Sequence, residues 1–150
     1  MSPFHSRRTL CRALLICPLA MGLWQGSQGL WIHAKAWLAQ ILLERAWSRT
    51  LAGEERPRPW PWADTWPVGR LLMPAHAVDL IVLAEASGRT LAFGPGHVSS
   101  TASPGAPGTM LLTGHRDTHF RFLQEVTVGE RLEVVGRDGR RDYYRVTDRR

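Results

Sequence analysis

The chain has 150 residues and a net charge of +6, with an ordinary share of apolar and charged side chains. That leaves room for one modest domain plus a tail and excludes wholesale disorder. The positive charge is nearly all arginine, Lys35 being the single lysine, and it gathers at the two ends, whereas residues 71–136 hold more acidic than basic groups. A nucleic-acid binder would more often carry its basic stripe on the folded core, so no nucleic acid is expected as a partner.

The N-terminal segment pairs a basic tip, Arg7, Arg8 and Arg12, with an uncharged stretch over 13–34. Its strongly apolar part, Ala13 to Trp24, is short for a full span of about 20 residues. The polar but uncharged Gln25 to Gly29 follows, and no A-x-A cleavage site stands after the apolar core. An uncleaved membrane anchor over residues 1–29 is favoured over a cleaved signal, with the arginines keeping the N-terminus cytoplasmic and the rest outside the inner membrane. Cys11 and Cys17 lie inside this stretch. They have neither metal-site spacing nor the basic, exposed setting of a reactive thiolate, and read as membrane-buried cysteines.

Residues 30–52 read as an amphipathic helix, with Leu30, Ala34, Trp37 and Ile41 at helical spacing and Gly53 as the stop. Trp31, Trp37 and Trp47 suit either a membrane–water boundary or packing on the domain. Residues 54–67 alternate proline and tryptophan, so neither helix nor central strand is expected. An extended segment lying along the domain surface is predicted instead.

From residue 68 the periodicity shortens. Strands are predicted at 68–73, 77–83, 90–93, 109–113, 130–135 and 142–147, with turns at Ser87-Gly88 and Asp138-Gly139. A Gly-, Ser-, Thr- and Pro-rich loop, Gly94 to Gly108, separates the third and fourth. The pattern predicts a mainly β, antiparallel sandwich or barrel over residues 68–150.

Chemistry concentrates in Thr113-Gly114-His115-Arg116-Asp117-Thr118-His119-Phe120, directly after the apolar run Met110-Leu111-Leu112. A histidine released at a strand end, with a pKa near neutrality, is well placed for proton transfer. Gly114 lets the backbone bend, and Arg116 and Asp117 supply groups to hold the turn or orient a ring. His115, Asp117 and His119 also alternate, and with His97 they form a zinc- or iron-type ligand inventory, which gives a metal-dependent hydrolase as an alternative. Ser99, Ser100 and Ser103 stand in no nucleophile-elbow sequence and read as loop residues.

The segment Gly108 to Phe120 resembles the histidine motif of the sortases, and more closely that of the Gram-negative, marine-proteobacterial type called class GN sortase. Lys35 to Gln40, Pro59 to Pro67 and Leu91 to His97 extend the likeness over roughly residues 30–150. The resemblance implies an eight-stranded, sortase-like β-barrel behind one membrane helix, with no cofactor. It implies a transpeptidase whose cysteine attacks an LPxTG-like sorting signal on a substrate protein and passes the acyl group to an amine, in the order His, Cys, Arg. His115 matches the histidine, with Thr113, Gly114, Arg116, Asp117 and His119 around it. No cysteine follows His115 in these 150 residues, and no arginine can be assigned. About six of eight strands are therefore expected, and a fragment, a frameshift or an early stop would each account for that. The chain alone is expected to be inactive and marginally folded, with a non-catalytic envelope module as a further alternative.

Overall fold

In a computed structural model, residues 3–149 are described, with the backbone alone for residues 3–20 and for Leu23, Gly26, Gln28, Leu30 and Ile32. One helix, α1, runs from Pro3 to Leu51 without the expected division near Gln25–Gly29. None of the residues there is proline, and glycine weakens a helix by only about 1 kcal/mol without breaking it. Among the described residues no helix is long and apolar enough to cross a membrane. Most of the Ala13–Trp24 run that motivates the anchor lies outside the described side chains.

The chain divides into two compact units, residues 1–38 and 39–150. In the first, Lys35 Nζ lies 4.8 Å from the Trp31 ring centroid, and Trp24, Trp31 and Trp37 are exposed. The helix buries a different stripe from the expected one. Ala39, Leu43, Ala46, Trp47 and Thr50 are buried, whereas Ala34 and Trp37 are exposed. Gly53, at φ +95, ends the helix as expected. Its amide donates to Thr50 O and that of Glu54 to Arg49 O, which satisfies two carbonyls the last turn leaves open.

In the second unit, β1 (Pro67–Met73), β2 (Val78–Ala84), β3 (Gly96–His97), β4 (Leu112–Thr113), β5 (Arg131–Gly136) and β6 (Arg141–Arg145) form one sheet. The order is β4-β3-β2-β1-β5-β6, antiparallel except for β2 with β3. The sheet has β4 and β6 at opposite ends of this order, so these six strands do not close into a barrel. Apolar residues cover both of its faces. Ile81, Leu83 and Val135 pack with Leu43 and Trp47 of α1, while Val82, Leu71 and Val134 pack with Leu112, Phe120 and Phe122. This explains the unbroken apolar run Leu80 to Ala84: a strand buried on both faces does not alternate.

Two expected strands change. Residues 90–93 form a 3-10 turn, Thr90–Ala92. The Ser87 hydroxyl accepts from the Thr90 amide at 3.3 Å and Leu91 N donates to Ser87 O, so local capping wins over extension. Of residues 109–113 only Leu112–Thr113 is strand. Val98 N still donates to Leu111 O and Ala102 N to Thr109 O, so the pairing frays into the loop. At Asp138-Gly139 the connection has three residues between Gly136 and Arg140, with Gly139 at φ +77. This is a turn plus bulge in place of the two-residue hairpin.

The proline–tryptophan segment packs against the sheet, but with bends and a turn closed by Ala63 N donating to Trp60 O in place of the extended run expected. Ala84 N donates to Trp66 O and Thr65 Oγ1 to Ala84 O, and the Trp60 ring meets Phe93 edge-on at 4.8 Å.

Candidate active site

The site starts from a close approach of backbones. Gly96 of β3 sits where a Cβ would lie 2.5 Å from Glu85 O and 2.9 Å from Ala86 Cα, and only glycine fits there. Glu85 itself turns through φ +64, which carries the chain away from β2 above β3. With that approach made, β3 pairs parallel with β2 (Leu83 with Gly96) and antiparallel with β4 (Gly96 with Thr113). β4 is an edge strand of the sheet, and His115 stands two residues beyond its end, exposed.

The turn carrying His115 folds back on itself. Thr118 N and Phe120 N both donate to His115 O, at 3.3 and 3.1 Å. Gly114 lies under the Phe120 ring, where a Cβ would come within 3.1 Å of two ring carbons. Phe120 continues into the core, edge-on to Phe122. The buried Thr113 Oγ1 has no hydrogen-bond partner among the described residues.

The other candidate residues separate. His97 is buried on β3, with Nε2 2.9 Å from Ala102 O and 3.2 Å from Thr101 Oγ1. It braces the loop toward β4. Asp117 pairs with Arg116 at 3.5 Å on the surface, so it does not orient the His115 ring. His119 is half-buried. Burial pushes its imidazole below the ordinary value, the Ala92 carbonyl partly offsets this, and the neighbouring His115 adds to the lowering. The four expected metal ligands thus do not form one group. Among the described residues no three His, Cys, Asp or Glu side chains are grouped as metal ligands would be.

Beside the turn lies a cleft of about 470 Å³, lined by Met73, Phe120, Leu123, Val126, Leu132 and Val146, and by both sequence neighbours of His115, Gly114 and Arg116. No local pattern signals it, because its apolar walls come from β1, β5 and the 3-10 turn Arg121–Gln124, which only folding assembles. Arg149 closes one side, donating to Val126 O at 2.9 Å and Gln124 O at 2.8 Å.

A clasp stiffens the loop behind this wall. Glu130 accepts from Thr127 Oγ1 at 2.6 Å and Thr127 N at 3.0 Å, and its other oxygen lies 2.6 Å from His76 Nε2. The Thr127 hydroxyl first, and His76 next, hold its carboxyl below the usual range. A carboxylate depressed in the folded state stabilises above the unfolded pKa of about 4.3 and loses that contribution as pH falls through the folded value. Glu130→Gln is therefore expected to lower the urea midpoint at pH 7, with the gap to the parent chain closing by pH 3. An equal gap at both values would show that the carboxylate charge is not involved.

Comparison with known proteins gives the family. A sortase-domain model matches residues 71–150, more than half of the chain. No curated protein matches the sequence. Among solved structures, the chain is similar to the sortase D5 transpeptidase of Clostridium perfringens, with a TM-score of 0.53 at 18% identity, over 70% of this chain and 62% of that one. It is also similar to sortase C1 of Streptococcus agalactiae, with 0.51 at 21% identity, over 73% and 64%. A third is sortase A of Corynebacterium diphtheriae, with 0.50 at 19% identity, over 71% and 62%. At these identities the likeness is one of fold, and the chain spans less than two thirds of each of the three. Matched to the sortase domain over most of its sheet and sharing the fold of these structures, the chain belongs to the sortase family.

Proposed function

We propose that the chain is the histidine-bearing portion of a membrane-anchored sortase of the class GN type, with its catalytic domain on the periplasmic face of the inner membrane. Sortases are cysteine transpeptidases that act on sorting-signal-bearing proteins and amine acceptors. In this reading the family's cysteine and arginine are not assigned to any residue after His115 in these 150 residues. The class assignment rests on the tryptophan–proline block together with the His115 block, and the anchor on the basic tip and apolar run.

The observation that carries the reading is the placement of His115: exposed past an edge strand, with its two sequence neighbours lining an apolar cleft. A thiolate attacks the carbonyl carbon of the threonine in the sorting signal. His115 gives its proton to the departing amide nitrogen as that C–N bond breaks, leaving a thioester. An incoming amine attacks the thioester, its proton passes to His115, and the thiolate departs. An arginine steadies the oxyanion in each step.

Incubated with an LPxTG-like peptide, the 150-residue chain is expected to show no thioacyl adduct by mass spectrometry. Extended by a TLxTC-like strand and an arginine-bearing strand, it is expected to gain the acyl fragment and release it to added triglycine. An adduct on the short chain, or none on the extended one, sinks the proposal.

A further inference from the structure

The cleft beside His115 has one wall that the sheet does not build. Leu123, Gln124 and Val126 line it, yet residues 121–130 belong to no strand. Its main chain is partly self-supported, because Glu125 N and Val126 N both donate to Phe122 O, at 2.9 and 3.3 Å. Arg149 bonds to it from the cleft side. His76 holds it from elsewhere in the fold, in the 3-10 turn Pro74–His76 that directly follows β1, whose last residue Met73 lines the cleft. That turn is closed by Ala77 N donating to Pro74 O at 3.1 Å, and the His76 side chain is only 13% exposed. The His76 ring touches both ends of the wall segment. Its centroid lies 6.4 Å from that of Phe122, its Nδ1 4.0 Å from Glu125 Oε2, and its Nε2 2.6 Å from Glu130 Oε2. Glu130 carries the tie onward, since its other oxygen accepts from Thr127 N and Thr127 Oγ1. An ionised carboxylate can only accept, so Nε2 is the donor to it.

We infer that His76, acting through Glu130, is a positioning residue for the cleft: it ties the Leu123–Val126 wall to the end of β1 and sets the width at which the cleft receives an apolar side chain of the substrate. The inference rests on the reading of His115 as the acid–base group of a sortase. A wall outside the sheet has few bonds to lose before it opens locally. Without His76 the sheet, the Phe122 core contact and the Arg149 bonds all remain, and only the wall gains freedom. The cleft then holds ground state and transition state less well alike, which raises KM and leaves kcat in place.

The test uses a chain that carries the nucleophile, an LPxTG-like peptide and three substitutions. His76→Ala removes ring and donor, His76→Phe keeps a ring without the donor, and His76→Gln keeps a donor without the ring. His76→Ala and His76→Phe are expected to raise KM about five- to tenfold with kcat within about twofold, and His76→Gln to recover most of the loss. Amide hydrogen exchange at Glu125 and Val126 is expected to rise about tenfold in the first two variants, with that of Leu83 and Val134 unchanged. Adding His76→Ala to Glu130→Ala is expected to raise KM little further, because the two residues act as one tie. An unchanged KM in His76→Phe, a loss confined to kcat, or unaltered exchange at Glu125 and Val126 in His76→Ala would overturn the inference. The premise fails separately: a His115→Ala variant that remains active refutes the role of His115, whatever the His76 variants show.

Discussion

Replacing His115 by alanine is expected to lower transpeptidation by about 10²–10⁴-fold in a chain that carries the nucleophile, the range removed with a general acid–base. Its stability is expected to stay within about 0.5 kcal/mol of the parent, because the side chain is exposed and the turn is bonded through the His115 carbonyl, which alanine retains. His97→Ala supplies the contrast. That ring is buried, and its removal empties the space it fills and takes the partner from Ala102 O, at a cost of about 1–3 kcal/mol. One histidine should therefore move activity without stability, and the other stability first. Peptide-cleavage rates and urea midpoints on the two variants decide the matter. If His97→Ala abolished activity at unchanged midpoint while His115→Ala remained active, the assignment would be reversed.

Gly96→Ala is expected to be the most disruptive small change in the sheet. The added carbon meets main-chain atoms at 2.5 and 2.9 Å, and neither can rotate away as a side chain would. Overpacking of this kind costs about 1–3 kcal/mol, and more where backbone must move. The damage falls on function as well as on stability, because Gly96 pairs with Thr113 and so determines where β4 releases His115. Gly88→Ala is the control, since nothing lies within 4 Å of its Cβ position. It is expected to be neutral or slightly stabilising through the unfolded chain. Thermal unfolding of the two variants checks both expectations. Equal midpoints would mean that the Gly96 approach relaxes freely and does not fix the register.

The fold was legible where one local signal dominated. β1, β2, β5 and β6 follow from their apolar and β-branched runs, and the helix end at Gly53 follows from its backbone freedom. Residues 90–93 were misread because the side chain deciding their conformation, Ser87, lies upstream and acts by capping. The helix stripe shifted from Ala34 and Trp37 to Leu43 and Trp47 because burial depends on which turn meets the sheet, and periodicity alone does not say where contact begins.

By itself the sequence determined the family: the segment around His115 resembles the sortases, and a sortase-domain model matches residues 71–150, since residue identities at close spacing carry that information. Only the tertiary structure decided which of the neighbouring polar residues act together. His97, Asp117 and His119 look equivalent along the chain, yet one is buried and bonded to a loop carbonyl, one pairs on the surface, and one is half-buried. Alternation in sequence fixes the face of an ideal strand, but the chain beyond Thr113 is a turn. Its geometry is set by the packing of Gly114 against Phe120 and by the close approach at Gly96, which are contacts between parts of the chain that no local pattern records.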